Sequence, residues 1–124
     1  MDFDLTEEQR LLVESARAFA RHELAPKAAD WDRDHHFPVE VLRAAAEQGY
    51  LGLYIAEEDG GLGLSRLSTS LIFEQLAAGC VATTAYISIH NMAAWMLASF
   101  GDAALKEAWL PGLIGGESDR KSVV

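Results

Sequence analysis

Cys80, Glu74 and His90 are the residues near the middle of the chain whose types could do chemistry. A thiolate attacks carbon, a carboxylate takes a proton from carbon, and an imidazole moves protons near neutral pH. None has the sequence neighbours that such work needs. No basic group lies near Cys80, which reads as a small core residue. His90 sits inside an apolar run and reads as a hydrogen-bonded core histidine. Glu74 is the last acid before a stretch, Gln75 to Gly101, that holds no Asp, Glu, Lys or Arg. Nothing marks it as a general base. With no nucleophile, base and acid in one set, no catalytic residue is assigned.

Two other patterns invite a ligand and fail on detail. Asp30-Trp31-Asp32-Arg33-Asp34-His35-His36 alternates acids as a calcium loop does, but His35 and Val41 stand where that loop needs Gly and Glu. The stretch reads as a solvated loop, and no metal site is assigned. Gly61-Leu62-Gly63 could open a dinucleotide fingerprint. Arg66 takes the place of its third glycine, and no βαβ context surrounds it. These glycines read instead as suppliers of positive φ in a tight turn.

Thr84, Ala85 and Ser88 are of more interest. Thr84 and Ser88 are four residues apart, hence on one helix face, with Ala85 beside them. A face of small, weakly polar residues within an apolar helix is either a place of close helix packing or the wall of an apolar ligand cavity. The spacing leaves both readings open.

The helix that carries them organises the rest. From Thr83 to Gly101 apolar residues fall on nearly every side of a 3.6-residue repeat, so the helix is expected to be buried in a core and wrapped by the remaining chain. Thr83, Thr84, Ser88, His90 and Asn91 interrupt the run, and no Lys or Arg cluster flanks it, which argues against a membrane span. A length of 124 residues suits one domain, and a formal net charge of -9 disfavours a nucleic-acid backbone or an anionic membrane as partner. A single cysteine and an acidic start without an apolar segment give the expectation of a cytoplasmic protein.

The other elements follow from caps and stripes. Thr6 with Gln9 forms a capping box for a helix whose apolar face is Leu5, Leu12, Ala16, Phe19 and Leu24, and Pro26 is expected to end or kink it near Glu23. A short continuation around Ala28 and Trp31 follows. Pro38 is placed at the first position of a second helix with Val41, Leu42, Ala45 and Ala46 as its stripe and Gly49 as its stop. Tyr50 to Ile55 reads as an extended, partly buried segment. Ser65 or Ser68 caps a third helix that runs to Ala78, with Leu64, Leu67, Leu71 and Phe73 to Leu76 as contacts and Gly79 as its breaker. The apolar helix then runs from near Ala82, and a last one from Ala103 to Leu113 shows Leu105, Trp109 and Leu113 at intervals of four. The expected fold is all-α: a helical bundle of about five helices around a central apolar helix.

Several of these stretches together resemble the acyl-CoA dehydrogenases. Leu5-Thr6-Glu7-Glu8-Gln9 is similar to the family's start. Gly49-Tyr50-Leu51-Gly52-Leu53 and then Glu57 to Leu64 resemble its GxxGL and PEExGGxGL segments, with Ala56 where proline is usual. Leu110 to Glu117 resembles the LPxLxxGE segment that closes the family's N-terminal helical domain. Phe73-Glu74 to Cys80 and Thr83 to Met92 resemble the isobutyryl-CoA dehydrogenase branch.

The resemblance covers residues 3 to 117 and implies residues 1–117 as an N-terminal helical domain, with 118–124 an unmatched tail left by truncation. It implies an FAD-dependent oxidation of a short branched acyl-CoA, such as isobutyryl-CoA, to the 2-enoyl-CoA. The partners implied are the acyl-CoA, an electron-transfer flavoprotein and, for the full-length relative, further copies of itself. By position Thr84, Ala85 and Ser88 fall where family members line the acyl-tail end. The family's β-domain, which helps hold the flavin, and its later helical domain, which supplies the catalytic glutamate, have no counterpart in 118–124. The isolated chain is therefore expected to be inactive and to expose apolar surface along its central and last helices. The competing expectation is a non-catalytic helical interaction module that docks on a partner.

Overall fold

The computed structural model describes residues 1–117, so the expectation for 118–124 lies outside the described residues. Helix α1 (Glu7–Phe19) starts at the expected capping box: Thr6 Oγ1 accepts from the Gln9 amide at 3.1 Å, and Gln9 Oε1 accepts from the Thr6 amide at 2.9 Å. It passes without a break into a π-helical turn, Ala20–Leu24, closed by Ala25 N–H to Ala20 C=O at 2.8 Å. Pro26 then ends the helical run close to the expected place.

Helix α2 (Ala28–Asp34) takes up most of the stretch that reads as a solvated loop. Its charges are solvated as expected, with Arg33 paired to Asp30 and Asp34, but its backbone is helical because Trp31 is buried and anchors it. Helix α3 (Val39–Glu47) has Pro38 as its N-cap, one residue before the expected position. It buries Val41, Leu42 and Ala45, and Gly49 turns the chain at φ +84°.

Residues 50–55 depart from expectation. They form consecutive turns, not an extended segment, and Tyr50, Leu51, Leu53 and Ile55 are buried. A backbone without regular pairing can be buried only if its polar groups find partners. A 3₁₀ turn, Glu57–Asp59, follows, and the glycine-rich stretch folds back on the turns: Leu62, Gly63 and Leu64 amides donate to Gly52, Ile55 and Leu53 carbonyls at 2.8–2.9 Å.

Helix α4 (Arg66–Gly79) is capped by Ser65, which accepts from the Ser68 amide at 3.1 Å. Its buried face is Thr69, Ile72 and Leu76, whereas Leu67 is exposed. The helix ends at Gly79, one residue past the expected Ala78, and the glycine there is also needed for close approach. A Cβ there would lie 2.9 Å from Leu24 Cβ and 3.0 Å from both Ala20 Cβ and Ala20 O, so the π turn packs directly on the helix backbone. Cys80 alone links α4 to helix α5 (Val81–Phe100), and α6 (Ala103–Ile114), capped by Asp102, completes the order. The fold is all-α with six α-helices, and no strand occurs among the described residues.

Helix α5 is the centre of the bundle on one side only. Thr83, Thr84, Ile87, His90, Asn91 and Ala94 are buried, while Val81, Ile89, Met92, Met96 and Phe100 are exposed. The expectation that the chain wraps this helix is therefore half right. Two polar residues of the buried face fasten the neighbouring elements. His90 Nε2 donates to the Leu113 carbonyl at 2.8 Å, one of the last carbonyls of α6, which lack a full intrahelical partner. Asn91 accepts from the Leu53 amide at 2.8 Å and donates to the carbonyls of Tyr50 at 2.7 Å and Ile87 at 2.9 Å. In α6, Leu110 and Leu113 face the core, and Leu105 and Trp109 of the expected stripe do not.

Replacing Asn91 by the near-isosteric Leu strands the Leu53 amide and the Tyr50 carbonyl in the core. Each stranded group costs about 1–3 kcal/mol, so Asn91→Leu is expected to lower unfolding free energy by about 3 kcal/mol or more. Urea denaturation measures this, and a loss below about 1 kcal/mol would show that other contacts hold the turn segment.

Candidate functional site

An open groove of about 480 Å³ runs between α4 and α5. One wall is Ser70, Phe73, Glu74 and Ala77, the other Val81, Thr84, Ala85 and Ser88. Each set follows the i, i+3, i+4, i+7 spacing of a single helix face. The three residues singled out in the sequence thus come together on one wall. The opposite wall was not anticipated as a site, although Phe73, Glu74 and Ala77 share a helix face that could have shown it.

The groove is built for apolar contact rather than for reaction. Thr84 Oγ1 donates to the Cys80 carbonyl at 2.8 Å, so its hydroxyl is satisfied within the helix. Thr84 is buried, Ser88 half-buried and Ala85 exposed, which makes the α5 wall shallow and its side chains small. Glu74 is the one ionisable residue lining the groove, and it lies exposed at its edge. Phe73 supplies the one aromatic ring.

The other sequence candidates stay apart from the groove. Cys80 is half-buried at the α4–α5 junction, less enclosed than a core residue, with Sγ 3.2 Å from Thr83 Oγ1. His90 is the hydrogen-bonded core histidine expected. Among the described residues no three of His, Cys, Asp and Glu gather as metal ligands, and no helix is long and apolar enough to cross a membrane. Tyr50 is buried edge-on against Phe19, with ring centroids 5.4 Å apart, and burial pushes its phenol above the usual range. Arg66 lies over the rings of Tyr54 and Trp95, at 3.9 and 4.9 Å, and clamps the turn segment to α5.

Most of the chain matches known proteins in one consistent way. Residues 6–117 match the domain described as "Acyl-CoA dehydrogenase, N-terminal domain". The chain belongs to the acyl-CoA dehydrogenase family. It is 48% identical over 109 residues to the mitochondrial isobutyryl-CoA dehydrogenase of Bos taurus, which covers 88% of this chain and 26% of that protein. A glutaryl-coenzyme A dehydrogenase in complex with glutaryl-CoA superposes with a TM-score of 0.87 at 32% identity, over 94% of this chain and 31% of the other. An FAD complex of PigA gives a TM-score of 0.89 at 29% identity, over 96% and 32% respectively. The chain thus spans about a quarter of the length of the curated relative it matches. These proteins differ in the substrates they are named for, so the family is shown and the acyl group is not.

The family's flavin can be tested against the residues described. The glycine-rich turn has no amides to offer a phosphate, because those of Leu62, Gly63 and Leu64 are bonded to residues 52–55. Gly61 is a glycine for a different reason: a Cβ there would collide with the Ile55 carbonyl oxygen. This turn therefore does not fit a flavin phosphate.

The α5 wall of the groove continues into the exposed apolar stripe of Ile89, Met92, Met96 and Phe100, which with Leu105 and Trp109 of α6 forms much apolar surface open to solvent. The isolated chain is expected to bind a hydrophobic dye such as anilinonaphthalene sulfonate and to self-associate. A chain that is monomeric by light scattering and leaves the dye dark would contradict a solvent-exposed stripe.

Proposed function

We propose that residues 1–117 act as the N-terminal helical domain of an FAD-dependent acyl-CoA dehydrogenase that oxidises a short branched acyl-CoA, such as isobutyryl-CoA, to the 2-enoyl-CoA. The observation that carries this reading is the groove in which Thr84, Ala85 and Ser88 form one continuous wall. Its role is to bind the acyl tail and keep water from it, not to transform it. An acyl chain gains about 0.8 kcal/mol for each CH₂ group it buries, and the small side chains at 85 and 88 leave room for a branch next to Phe73.

The proton abstraction and the flavin chemistry belong, on this reading, to the further domains of the longer enzyme. Electron-transfer flavoprotein is its proposed acceptor, and a homo-oligomer its proposed state. Likeness to isobutyryl-CoA dehydrogenase supports the branched substrate, and the family membership supports FAD. The open stripe on α5 and α6 supports a covering partner that is the rest of the same polypeptide. The 124-residue chain alone is inactive on this account.

The reading is testable in a hybrid that carries residues 6–117 of this chain in place of the matching segment of the bovine isobutyryl-CoA dehydrogenase. The hybrid is expected to oxidise isobutyryl-CoA. Within it, Ala85→Phe fills the groove and should lower kcat/KM for isobutyryl-CoA by roughly 10-fold or more, whereas Thr84→Val, whose hydroxyl faces its own helix, should change it by less than about threefold. Equal kinetics for Ala85→Phe and the parent hybrid would remove these residues from the acyl site.

A further inference from the structure

A second, smaller cleft lies around the helix from the groove, between the α2–α3 connection and the first turns of α5. It encloses about 240 Å³ and is lined by Trp31, Phe37, Leu42 and Tyr86, with Cys80 and Thr83 also on its wall. Thr83 serves this cleft and Thr84 the groove, so adjacent residues of α5 turn to different cavities.

The cleft is a built feature of the fold. His35 ends α2 in the left-handed region at φ +52°, and this sharp turn carries Phe37 back to α5. Phe37 is 48% exposed, yet it packs edge-on against Tyr86 with centroids 4.8 Å apart. An aromatic side chain held half in solvent above a cleft, on a turn that a non-glycine residue must strain to make, forms a roof over the space beneath.

Size and lining together select an occupant. An apolar cavity of about 150 Å³ takes benzene, while drug-sized ligands need about 300–1,000 Å³. The cleft therefore holds a single ring with one substituent. Three aromatic side chains favour a ring over an aliphatic chain of equal volume, through offset and edge-to-face contacts. The Cys80–Thr83 pair can exchange hydrogen bonds with one polar substituent. His35 and His36 line the cleft beside Asp32, with His36 paired to Glu40 at 3.3 Å, and on a chain of net charge -9 this balance opposes an anion. We infer that this cleft is a second ligand site, for a neutral single-ring aromatic molecule that bears one hydrogen-bonding group. The inference is independent of the acyl assignment.

Cys80 makes the test direct, because it is the only cysteine of the chain and lies on the cleft wall. Its alkylation by iodoacetamide, followed by intact mass, is compared without additive and with phenol, benzoate or cyclohexanol. If phenol binds with a Kd on the order of 1 mM, about 10 mM should slow alkylation roughly 10-fold and saturably. Benzoate and cyclohexanol should leave the rate within about twofold of that without additive. An unchanged rate with phenol, or equal slowing by all three, overturns the site. Ala82 is exposed and lines the cleft, so Ala82→Phe should block it, slow alkylation by itself and abolish the effect of phenol. Persistence of the phenol effect in a folded Ala82→Phe protein overturns the site equally. The comparison of additives on the unaltered chain decides the matter without the variant.

Discussion

Asn91 ties the buried turns at 50–55 to helix α5 through hydrogen bonds to Leu53 and Tyr50. A run of turns between two helices cannot lie in a core unless something answers its backbone. Asn91 does so with its carbonyl oxygen, which accepts from Leu53, and one amide hydrogen, which it gives to Tyr50; the other goes to Ile87 of its own helix. Tyr50, Leu51, Leu53 and Ile55 can then enter the core as side chains. The glycine-rich turn folds back onto the same residues and is held to α6 by a half-buried pair, Lys106 Nζ to Asp59 Oδ1 at 2.9 Å. With His90 bonded to Leu113, neighbouring residues of α5 secure the turns on one flank and the last helix on the other.

That arrangement fixes the rotation of α5, and through it the placement of both cavities. Ile87, Asn91 and Ala94 must face inward, so Val81, Ala85, Met92 and Met96 must face out. Thr84 and Ser88 lie at the boundary, beside α4, and complete a groove whose depth is set by small side chains. The single-residue link at Cys80 keeps the two helices together at one end. One helix thus serves as core on one side and as a groove wall on the other. Little of this machinery is chemical: the groove offers shape and apolar contact, with one carboxylate at its edge.

Much of this was legible in the residues, where local physics is strong. The Thr6–Gln9 box places the start of α1 to the residue, and of the two serines offered as the cap of α4 Ser65 is the one used, because a side-chain cap depends on near neighbours alone. The pairing of Thr84 with Ser88 followed from helical spacing, and the groove shows them on one wall. What could not be read was rotation. A helix that is apolar all round carries no stripe to say which side is covered, so α5 reads as wrapped when one flank is open. The same lack of contrast hid the inward faces of α4 and α6, where Leu67, Leu105 and Trp109 are exposed. The turns at 50–55 read as extended because the stretch is short and apolar at every position but Gly52, and the partner that makes turns possible stands 38 residues or more away at Asn91.

On the proposed reading labour is divided: this helical domain contributes an acyl wall, and the flavin cradle lies elsewhere. The measurement that tests it most directly is the visible absorbance of the purified chain after incubation with FAD and removal of the excess. The account predicts a colourless protein, because the amides of the glycine-rich turn are already bonded within the fold. A retained stoichiometric flavin band would contradict it, and would mean that these helices, alone or as an oligomer, assemble a flavin site of their own.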